Sequence, residues 1–560
     1  MRWELLNYND EYIQSKSKEF HTDKLITELL LNRGITNKED VDKFLNPSME
    51  NINDPFLFED MERIVERIII ARKNKEKIFI YGDYDVDGIS GTAYLIIVLR
   101  NLGINIDYFI QNRVHEGSKI NKHFVNYIKK RNAKLVITVD TSFGSTEEIE
   151  LLTKNGIDLI ITDHHRQTNK LKLDVKTINP KISKTYPFKH LSGSGMAYKL
   201  ADAVYERLGV SKKILHDYMD IVMIGTVADV VPMTDENRFI IKQGLANLRK
   251  TKVKGLEYLI VYLKLNAYSI NTSDIGFYIA PMLNALGRID SSKMVVDFYI
   301  EKDDFRIFNI IEEMKRANKI RRYLEINIYN EIEEKIAKMR EKPKYIFMKS
   351  KKWHSGVTGV VSSRLSLKYN IPVIIISIKN GYGKASCRSV EGLNIFDILK
   401  EISHKFERFG GHDLAAGFLV TEKVLFQIEK YLKNKLYRLN KSDIEKKFLI
   451  DSYLSIENIN KTLVKEINKL SPFGLDNQEP NFTDNNVTLL NYTKFGVDSR
   501  HFKGMVVKGN KKLPVIGYNL GDKIDTKNSG KKIEILYTPV LKYGKNDFFI
   551  ELKLKDFKYN

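Results

Sequence analysis

The chain has 560 residues, 43% hydrophobic and 29% charged, with 91 Lys and Arg against 71 Asp and Glu, a net charge of +20. That length exceeds one hydrophobic core, so several domains are expected, and the basic excess points to a polyanionic partner, nucleic acid first. A single cysteine, Cys387, excludes an intrachain disulfide, and apolar runs such as 371–378 fall far short of a bilayer span, so no membrane is expected.

The first four residues, Met1-Arg2-Trp3-Glu4, carry no apolar signal core, and a cytoplasmic location is expected. Residues 1–50 read as an adaptor segment. Helical periodicity over 25–31 ends at Gly34. A second short helix is expected over 37–45, with Thr36 as its cap and Glu39 closing a capping box.

Lys77-Ile78-Phe79-Ile80 reads as a buried strand. It runs into Tyr81-Gly82-Asp83-Tyr84-Asp85-Val86-Asp87-Gly88, three carboxylates at alternate positions. Residues 89–100 then read as a helix with a glycine stop at Gly103. The acids fall at the carboxyl end of a strand, where open α/β sheets place their sites. Further strands are expected over 104–110, 134–139 and 158–162, with helices over 121–130 and 146–154. This alternation predicts a parallel sheet with crossover helices. Parallel strands share one carboxyl edge, so Asp83, Asp85, Asp87, Arg113, Asp140, Asp163, His164 and His165 converge there. One acid at a strand end is usually a helix cap. Three ends supplying carboxylates and imidazoles point to a metal.

Downstream, Asp220 opens the apolar run 221–224, which leads to Gly225-Thr226-Val227-Ala228-Asp229-Val230-Val231-Pro232. A buried acid needs a partner, and Asp229 is the expected last ligand. Between 301 and 342 there is no Gly or Pro. One helix or two could fill this stretch. A single helix of about 40 residues would span about 60 Å as a connector.

A second α/β lobe is expected over 343–440. It contains Trp353-His354-Ser355-Gly356, Lys384-Ala385-Ser386-Cys387-Arg388 and Phe409-Gly410-Gly411-His412. Glycines permit close backbone approach, with His, Ser and Arg as donors, which suits a phosphate-binding or nucleotide-end surface. From 441 onward a helix over 456–470 leads into Pro472-Phe473-Gly474. Five short strands follow, over 486–492, 502–507, 513–518, 532–537 and 548–554. They predict a small OB-like β-barrel. Tyr492, Phe495, Arg500, His501, Lys503 and Lys508 interleave there, a pattern suited to single strands.

Taken together these pieces resemble the DHH phosphoesterases, and among them the RecJ family of single-strand DNA exonucleases. The matching segments are Gly82-Asp83-Tyr84-Asp85-Val86-Asp87-Gly88, Thr138-Val139-Asp140, Asp163-His164-His165 and Ala228-Asp229-Val230-Val231-Pro232. Pro281 to Arg288, Trp353 to Val357, Gly410-Gly411-His412 with Ala415-Ala416-Gly417, and Pro472-Phe473-Gly474 complete the set. They run in the family's order from about residue 50 to the end.

The resemblance implies a DHH lobe over 51–300, a helical connector over 301–342, a DHH-associated lobe over 343–440 and an OB-like domain over 441–560. It also implies a two-metal exonuclease that degrades single-stranded DNA from the 5′ end to mononucleotides, in repair and recombination. By that resemblance Asp85, Asp87, Asp140, His164 and Asp229 are ligands to two Mn²⁺ or Mg²⁺ ions. Asp83 and Asp163 complete or orient the shell, and His165 faces the scissile phosphate. Ser386, Arg388 and Arg113 grip the 5′ phosphate, while Arg288, His354 and His412 line the channel. A monomer working with a helicase and a single-strand-binding protein is the corresponding expectation. Hard oxygen ligands with one imidazole agree with Mn²⁺ or Mg²⁺, and two such ions suit phosphodiester hydrolysis.

Two departures from the family pattern stand out. Thr141-Ser142 follow Asp140 where the family places Asn or Cys and then Gly, and Ser118-Lys119 replace Tyr-Gly after Gly117. Both leave the proposed metal ligands in place. The competing readings are a DHH phosphodiesterase of short oligonucleotides or cyclic dinucleotides, and a non-catalytic DNA-binding replication factor on the same scaffold. Substrate length separates the first, and survival of binding without cleavage the second.

Overall fold

The computed structural model describes residues 2–6, 8–111, 122–141, 146–166, 175–289, 293–437, 447–496, 499–524, 530–543 and 547–559. The first strand, β1 (Arg2–Leu5), belongs to the far end of the chain: it pairs in parallel with β12 (Lys447–Ile450). The helices Asp10–Phe20, Lys24–Leu31 and Lys38–Leu45 follow. The last is capped by Asn37, whose side chain accepts from the Asp40 amide, and not by Thr36. An asparagine at the residue that actually precedes the helix takes the cap from a threonine one position too early.

The first lobe is built on five parallel strands: β2 (Lys77–Gly82), β3 (Ile106–Ile110), β4 (Ala133–Val139), β5 (Asp158–Thr162) and β6 (Lys176–Ile178). Their order is β3-β2-β4-β5-β6. The chain leaves β2 to one side for β3 and to the other for β4. The carboxyl ends of β2 and β4 therefore flank a topological switch point, where α/β sheets open a crevice. The ladders run one residue past the strand ends. The Asp83 amide donates to Val139 O, Asp140 to Thr162 O and Asp163 to Ile178 O, at 3.1, 3.1 and 3.2 Å. Three aspartates thus stand side by side along one edge. Helices Val86–Asn101, Gly193–Arg207 and Met219–Ala228 pack over the sheet in one core.

The connector is one helix, Asp304–Ala337, of 34 residues, capped by Asp303. At 1.5 Å per residue it is about 50 Å long. Ile307, Ile310, Ile311, Met314 and Ala317 join the core of the first lobe. Ile328, Tyr329, Ile332 and Ile336 join that of the second. The helix is held by apolar burial at both ends, which its charged middle does not advertise.

The second lobe has five strands in the order β10-β11-β9-β8-β7. They are β7 (Ile346–Ser350), β8 (Val373–Lys379), β9 (Tyr382–Arg388), β10 (Arg408–His412) and β11 (Ala415–Thr421). Only β7 and β8 are parallel. The glycine-rich run at 409–417 is an edge hairpin and not an open loop.

After β12 and the short β13 (Ser452–Tyr453), helix Lys461–Asn468 starts at an Asn460 cap, later than a helix over 456–470 requires. The strands β14 (Phe482–Phe495), β15 (His501–Lys508), β16 (Lys511–Gly517), β17 (Lys532–Tyr543) and β18 (Phe548–Tyr559) close into a five-stranded barrel, sealed by the β14–β17 pairing. The N-terminal helices share the core of this barrel, through Phe20, Leu29 and Leu30 against Ile456, Val464 and Ile467.

Arg238, buried in helix Asp235–Leu248, fastens three parts of the chain. Its guanidinium stacks 3.7 Å over the Phe44 ring and donates to Phe44 O, Ser471 O and Pro472 O. Pro472-Phe473-Gly474 is thereby a docking turn between the barrel and the first lobe. Among the described residues no helix is long and apolar enough to cross a membrane.

Candidate metal centre

The chain turns after β2 and enters helix Val86–Asn101 through Asp85 as N-cap. Asp85 Oδ1 accepts from the Asp87 and Gly88 amides at 3.0 and 3.2 Å. One oxygen is spent on the cap and the other stays available. Asp87 lies in the first turn, opposite the N-terminus of helix Gly193–Arg207. Its Oδ2 accepts from the Gly193 amide at 2.6 Å and its Oδ1 from the Ser194 amide at 2.9 Å. A helix N-terminus is a fitting seat for a buried carboxylate. Gly225 makes room for it, since a Cβ there would lie 2.7 Å from Asp87 Oδ1.

Asp140 is buried, with φ of 59°. Its Oδ1 lies 3.0 Å from His164 Nε2. The same nitrogen is 3.5 Å from Asp229 Oδ2 and 3.9 Å from Asp87 Oδ2. Asp229 sits at the C-cap of helix Met219–Ala228. Among the described residues neither ring nitrogen of His164 has a hydrogen-bond partner, nor has Asp140 Oδ1. Two groups of donors result, Asp87 with His164 and Asp229, and Asp83 with Asp85 and Asp140, each gathered within 4.8 Å. A third joins Asp140, His164 and His165.

Burial and the neighbouring carboxylates Asp87 and Asp85 hold the Asp140 carboxyl well above its usual range. The same causes act on Asp229. Burial and then Asp85 push Asp87 up to about 6. Burial and then His165 hold His164 well below an ordinary imidazole, which leaves one ring nitrogen with a free lone pair. Crowded buried anions around a neutral imidazole need a cation. Oxygen donors with one nitrogen match Mn²⁺ or Mg²⁺ better than zinc, so the residues present fit a pair of such ions.

Asp163 falls outside these three groups. Its Oδ1 meets His165 Nδ1 at 2.8 Å and accepts from the His165 amide at 3.3 Å. Burial alone would raise this carboxyl, yet the bond to His165 and its charge take it down to about 2. Asp163 thus spends this oxygen on the ring and amide of His165.

From the second lobe, the His412 ring lies over His165, with centroids 6.2 Å apart and planes at 21°. Asp413 reaches Arg166 at 3.7 Å. The β10–β11 hairpin therefore closes over the centre. Across the sheet His412 pairs with Ala415, and Ala415 with Arg388; in the next row but one Gly410 pairs with Gly417, and Gly417 with Ser386. His412 and Arg388 stand two strands apart, about 10 Å, with small residues between them. Ser386 Oγ is 2.9 Å from Thr358 Oγ1, and Arg388 Nε donates to Ser363 Oγ at 2.9 Å. His354 Nδ1 accepts from the Gly356 amide at 3.1 Å. Arg113, Ser118, Lys119 and Ser142 lie outside the described residues, as does the Arg288 side chain. Thr141 Oγ1 accepts from Gln111 Nε2 at 3.2 Å.

Sequence reasoning missed Ser192-Gly193-Ser194, which seat Asp87, and Asn284. Asn284 Oδ1 accepts from the Val86 amide at 3.2 Å. It also lines a cavity of about 140 Å³ with Tyr84, Asp85, Asp87 and Asp229. A serine cap with glycines opening a helix was the available signal for the first.

Residues 77–226 match the DHH family, N-terminal domain; residues 342–438 the DHHA1 domain; and residues 450–556 the RecJ OB domain. The chain is 32% identical to the single-stranded-DNA-specific exonuclease RecJ of Bacillus subtilis over 99% of its own length and 70% of that protein's. It is 28% identical to the Escherichia coli exonuclease of the same name, over 92% of each chain. In fold it resembles the crystal structure of RecJ with Mn²⁺ from Thermus thermophilus, with a TM-score of 0.85 at 23% identity, covering 100% of this chain and 80% of that one. The parallel lobe, the hairpin lobe and the closed barrel, with carboxylates gathered at one sheet edge, are those of one family: this chain belongs to the RecJ family of DHH phosphoesterases.

Proposed function

We propose that this chain is a metal-dependent exonuclease of single-stranded DNA that works from the 5′ end and releases 5′-mononucleotides. The observation that carries this reading is the meeting of Asp140 Oδ1 and His164 Nε2, both without hydrogen bonds among the described residues, among four further aspartates, Asp83, Asp85, Asp87 and Asp229. Asp85, Asp87, Asp140, His164 and Asp229 would hold two Mn²⁺ or Mg²⁺ ions, with Asp83 beside them. When bound, such ions neutralise the phosphate and activate water. The residues around them do the rest. Asp163 keeps the His165 ring turned toward the scissile phosphate. His412 roofs that ring and excludes water from one side. Ser386 and Arg388 receive the 5′ phosphate across the bare sheet face, with Arg113, Arg288 and His354 along the channel. An end-binding patch at a fixed distance from the cut accounts for stepwise removal of single nucleotides.

The domain limits that go with this reading are 1–50, 51–300, 301–342, 343–440 and 441–560. The first lobe, the second lobe and the barrel each have apolar cores of their own, which supports three of these units, while residues 1–50 share the barrel's core and the connector divides between those of the two lobes. A monomer in the cytoplasm, acting with a helicase and a single-strand-binding protein in repair and recombination, completes the proposal.

The test is a time course on 5′-labelled and 3′-labelled single strands with Mn²⁺ or EDTA, beside Asp140→Ala. Immediate release of the 5′ label as mononucleotide, with gradual shortening of the 3′-labelled strand, is expected. Intact long strands beside cleaved dinucleotides would overturn it in favour of a small-substrate phosphodiesterase.

A further inference from the structure

The segment Ile275–Ile279, between the short helix Thr272–Asp274 and the helix Ala280–Ile289, is a π-helix. π-helical turns are rare and recur at functional sites. Ile275 and Ile279 are fully buried, while Phe277 is 77% and Tyr278 53% exposed. Two successive rings therefore stand in solvent on a segment anchored from within. Hydrogen bonds hold its start in place. Asn271 forms a capping box with Asp274, and Thr272 Oγ1 donates to Phe473 O at 2.7 Å.

The helix that continues this segment carries Asn284 and Gly287, which line the cavity at the metal centre. Seven residues separate Phe277 from Asn284, about 10 Å along a helix axis. On the other side stands the barrel, where Phe495, His501 and Tyr518 form a row with centroids 5.3 and 5.4 Å apart. Tyr518 is half exposed. Burial, then Glu551 and Tyr278, raise its phenol above the ordinary value, so Tyr278 lies within electrostatic reach of the row. Rings thus lead from the barrel to the helix that lines the metal centre.

We propose that Phe277 and Tyr278 are a stacking platform for the bases of single-stranded DNA on its way from the barrel to the metal centre. The proposal rests on the exonuclease reading above and adds the path of the strand. A single strand is the occupant that suits this surface. Its bases have exposed π-faces of any sequence, which a duplex keeps stacked, and its phosphates suit a chain of net charge +20. A rise of 3.4 Å per stacked base puts about three nucleotides between platform and cut.

Two experiments on the full chain test this. In EDTA, where no cleavage occurs, Phe277→Trp is titrated with oligo-dT, with the parent as reference for Trp3 and Trp353. Quenching of the added indole, with the same midpoint as anisotropy of the labelled strand, is expected. In Mn²⁺, the double variant Phe277→Ala/Tyr278→Ala should need about tenfold more long strand to reach half-maximal rate. The loss should sit in KM rather than kcat, at an unchanged melting temperature. An unquenched indole on a bound strand, or a parental KM in the double variant, overturns the platform and leaves the exonuclease reading standing. A parent that neither binds nor cuts the strand overturns both.

Discussion

A Cβ on Gly193 would lie 2.4 Å from the Cβ of Asp140. The two residues touch because the amide of Gly193 also holds Asp87 at 2.6 Å, which draws the start of its helix onto the end of β4. One glycine therefore sets the position of two carboxylates. Gly193→Ala should force them apart and lower both Mn²⁺ affinity and turnover by about 10–100-fold, the usual cost of disturbing groups that orient metal ligands. Isothermal titration with Mn²⁺ checks it without recourse to activity. Parental affinity in the alanine variant would show that the contact is incidental.

Asp163 and His165 form the second such relationship. Asp163 is fully buried and spends Oδ1 on the His165 ring and amide. Asp163→Asn keeps an acceptor of the same shape but removes the charge that supports the ring. Turnover should drop by about 10–100-fold, while Mn²⁺ affinity stays within a few-fold of the parent. If instead affinity collapses together with turnover, Asp163 is itself a ligand.

Asp220 makes a prediction about pH that does not involve the metal. It is fully buried, and its partners are the Thr251 hydroxyl at 2.5 Å and the Ile221 amide at 3.0 Å. Burial pushes its carboxyl up to about 6. An unfolded aspartate titrates near 3.9, so the folded chain binds this proton more tightly. Stability from this group is fully present below about pH 4 and is lost as pH rises through about 6. Asp220→Asn stays neutral throughout. It should match the parent near pH 4 and exceed it by on the order of 3 kcal/mol above pH 7, at 1.36 kcal/mol per pH unit. Denaturant unfolding of both proteins at several pH values gives the comparison. Parallel curves would mean that Asp220 carries its charge inside the fold.

What was legible in the sequence follows from how local each cause is. The strand at 77–82 ends in acids, and an apolar run meeting a carboxylate cluster is a local pattern; the structure has the strand there and Asp85 as the cap. The seat of Asp87 was not legible, because Gly193 lies more than a hundred residues away and meets it only through the fold. The glycines at 410 and 411 give no strand signal, since glycine weakens strands, yet β10 tolerates them at the sheet edge beside β11. Asp220 and Asp229 each stand beside an apolar run; the motif Ala228-Asp229-Val230-Val231-Pro232 singles out Asp229, but the partner of each is set by tertiary packing, which turns Asp229 toward His164 and Asp220 toward Thr251.

The last prediction concerns a buried ion pair away from the proposed chemistry. Lys199 Nζ and Glu236 Oε1 are 2.7 Å apart, and neither side chain reaches solvent. Asn53 serves both: its carbonyl accepts from Lys199 at 2.6 Å and its amide donates to Glu236 at 2.5 Å. The Tyr186 hydroxyl donates to the other Glu236 oxygen at 2.6 Å. The network pins the segment before helix Met61–Lys73 onto the helix that seats Asp87. Lys199→Met strands the Glu236 charge in a dry site and should cost about 3–5 kcal/mol. Adding Glu236→Gln removes that charge, keeps an oxygen to accept from the Asn53 amide and presents an NH2 that can donate to the Tyr186 hydroxyl oxygen, so the double variant should recover most of the loss. A double-mutant cycle from denaturant unfolding measures the coupling. If the two costs simply add, the pair is not the unit that holds this corner. Recovery in the double variant would mean that the site requires charge balance and bonded oxygens, and that the ions themselves are replaceable.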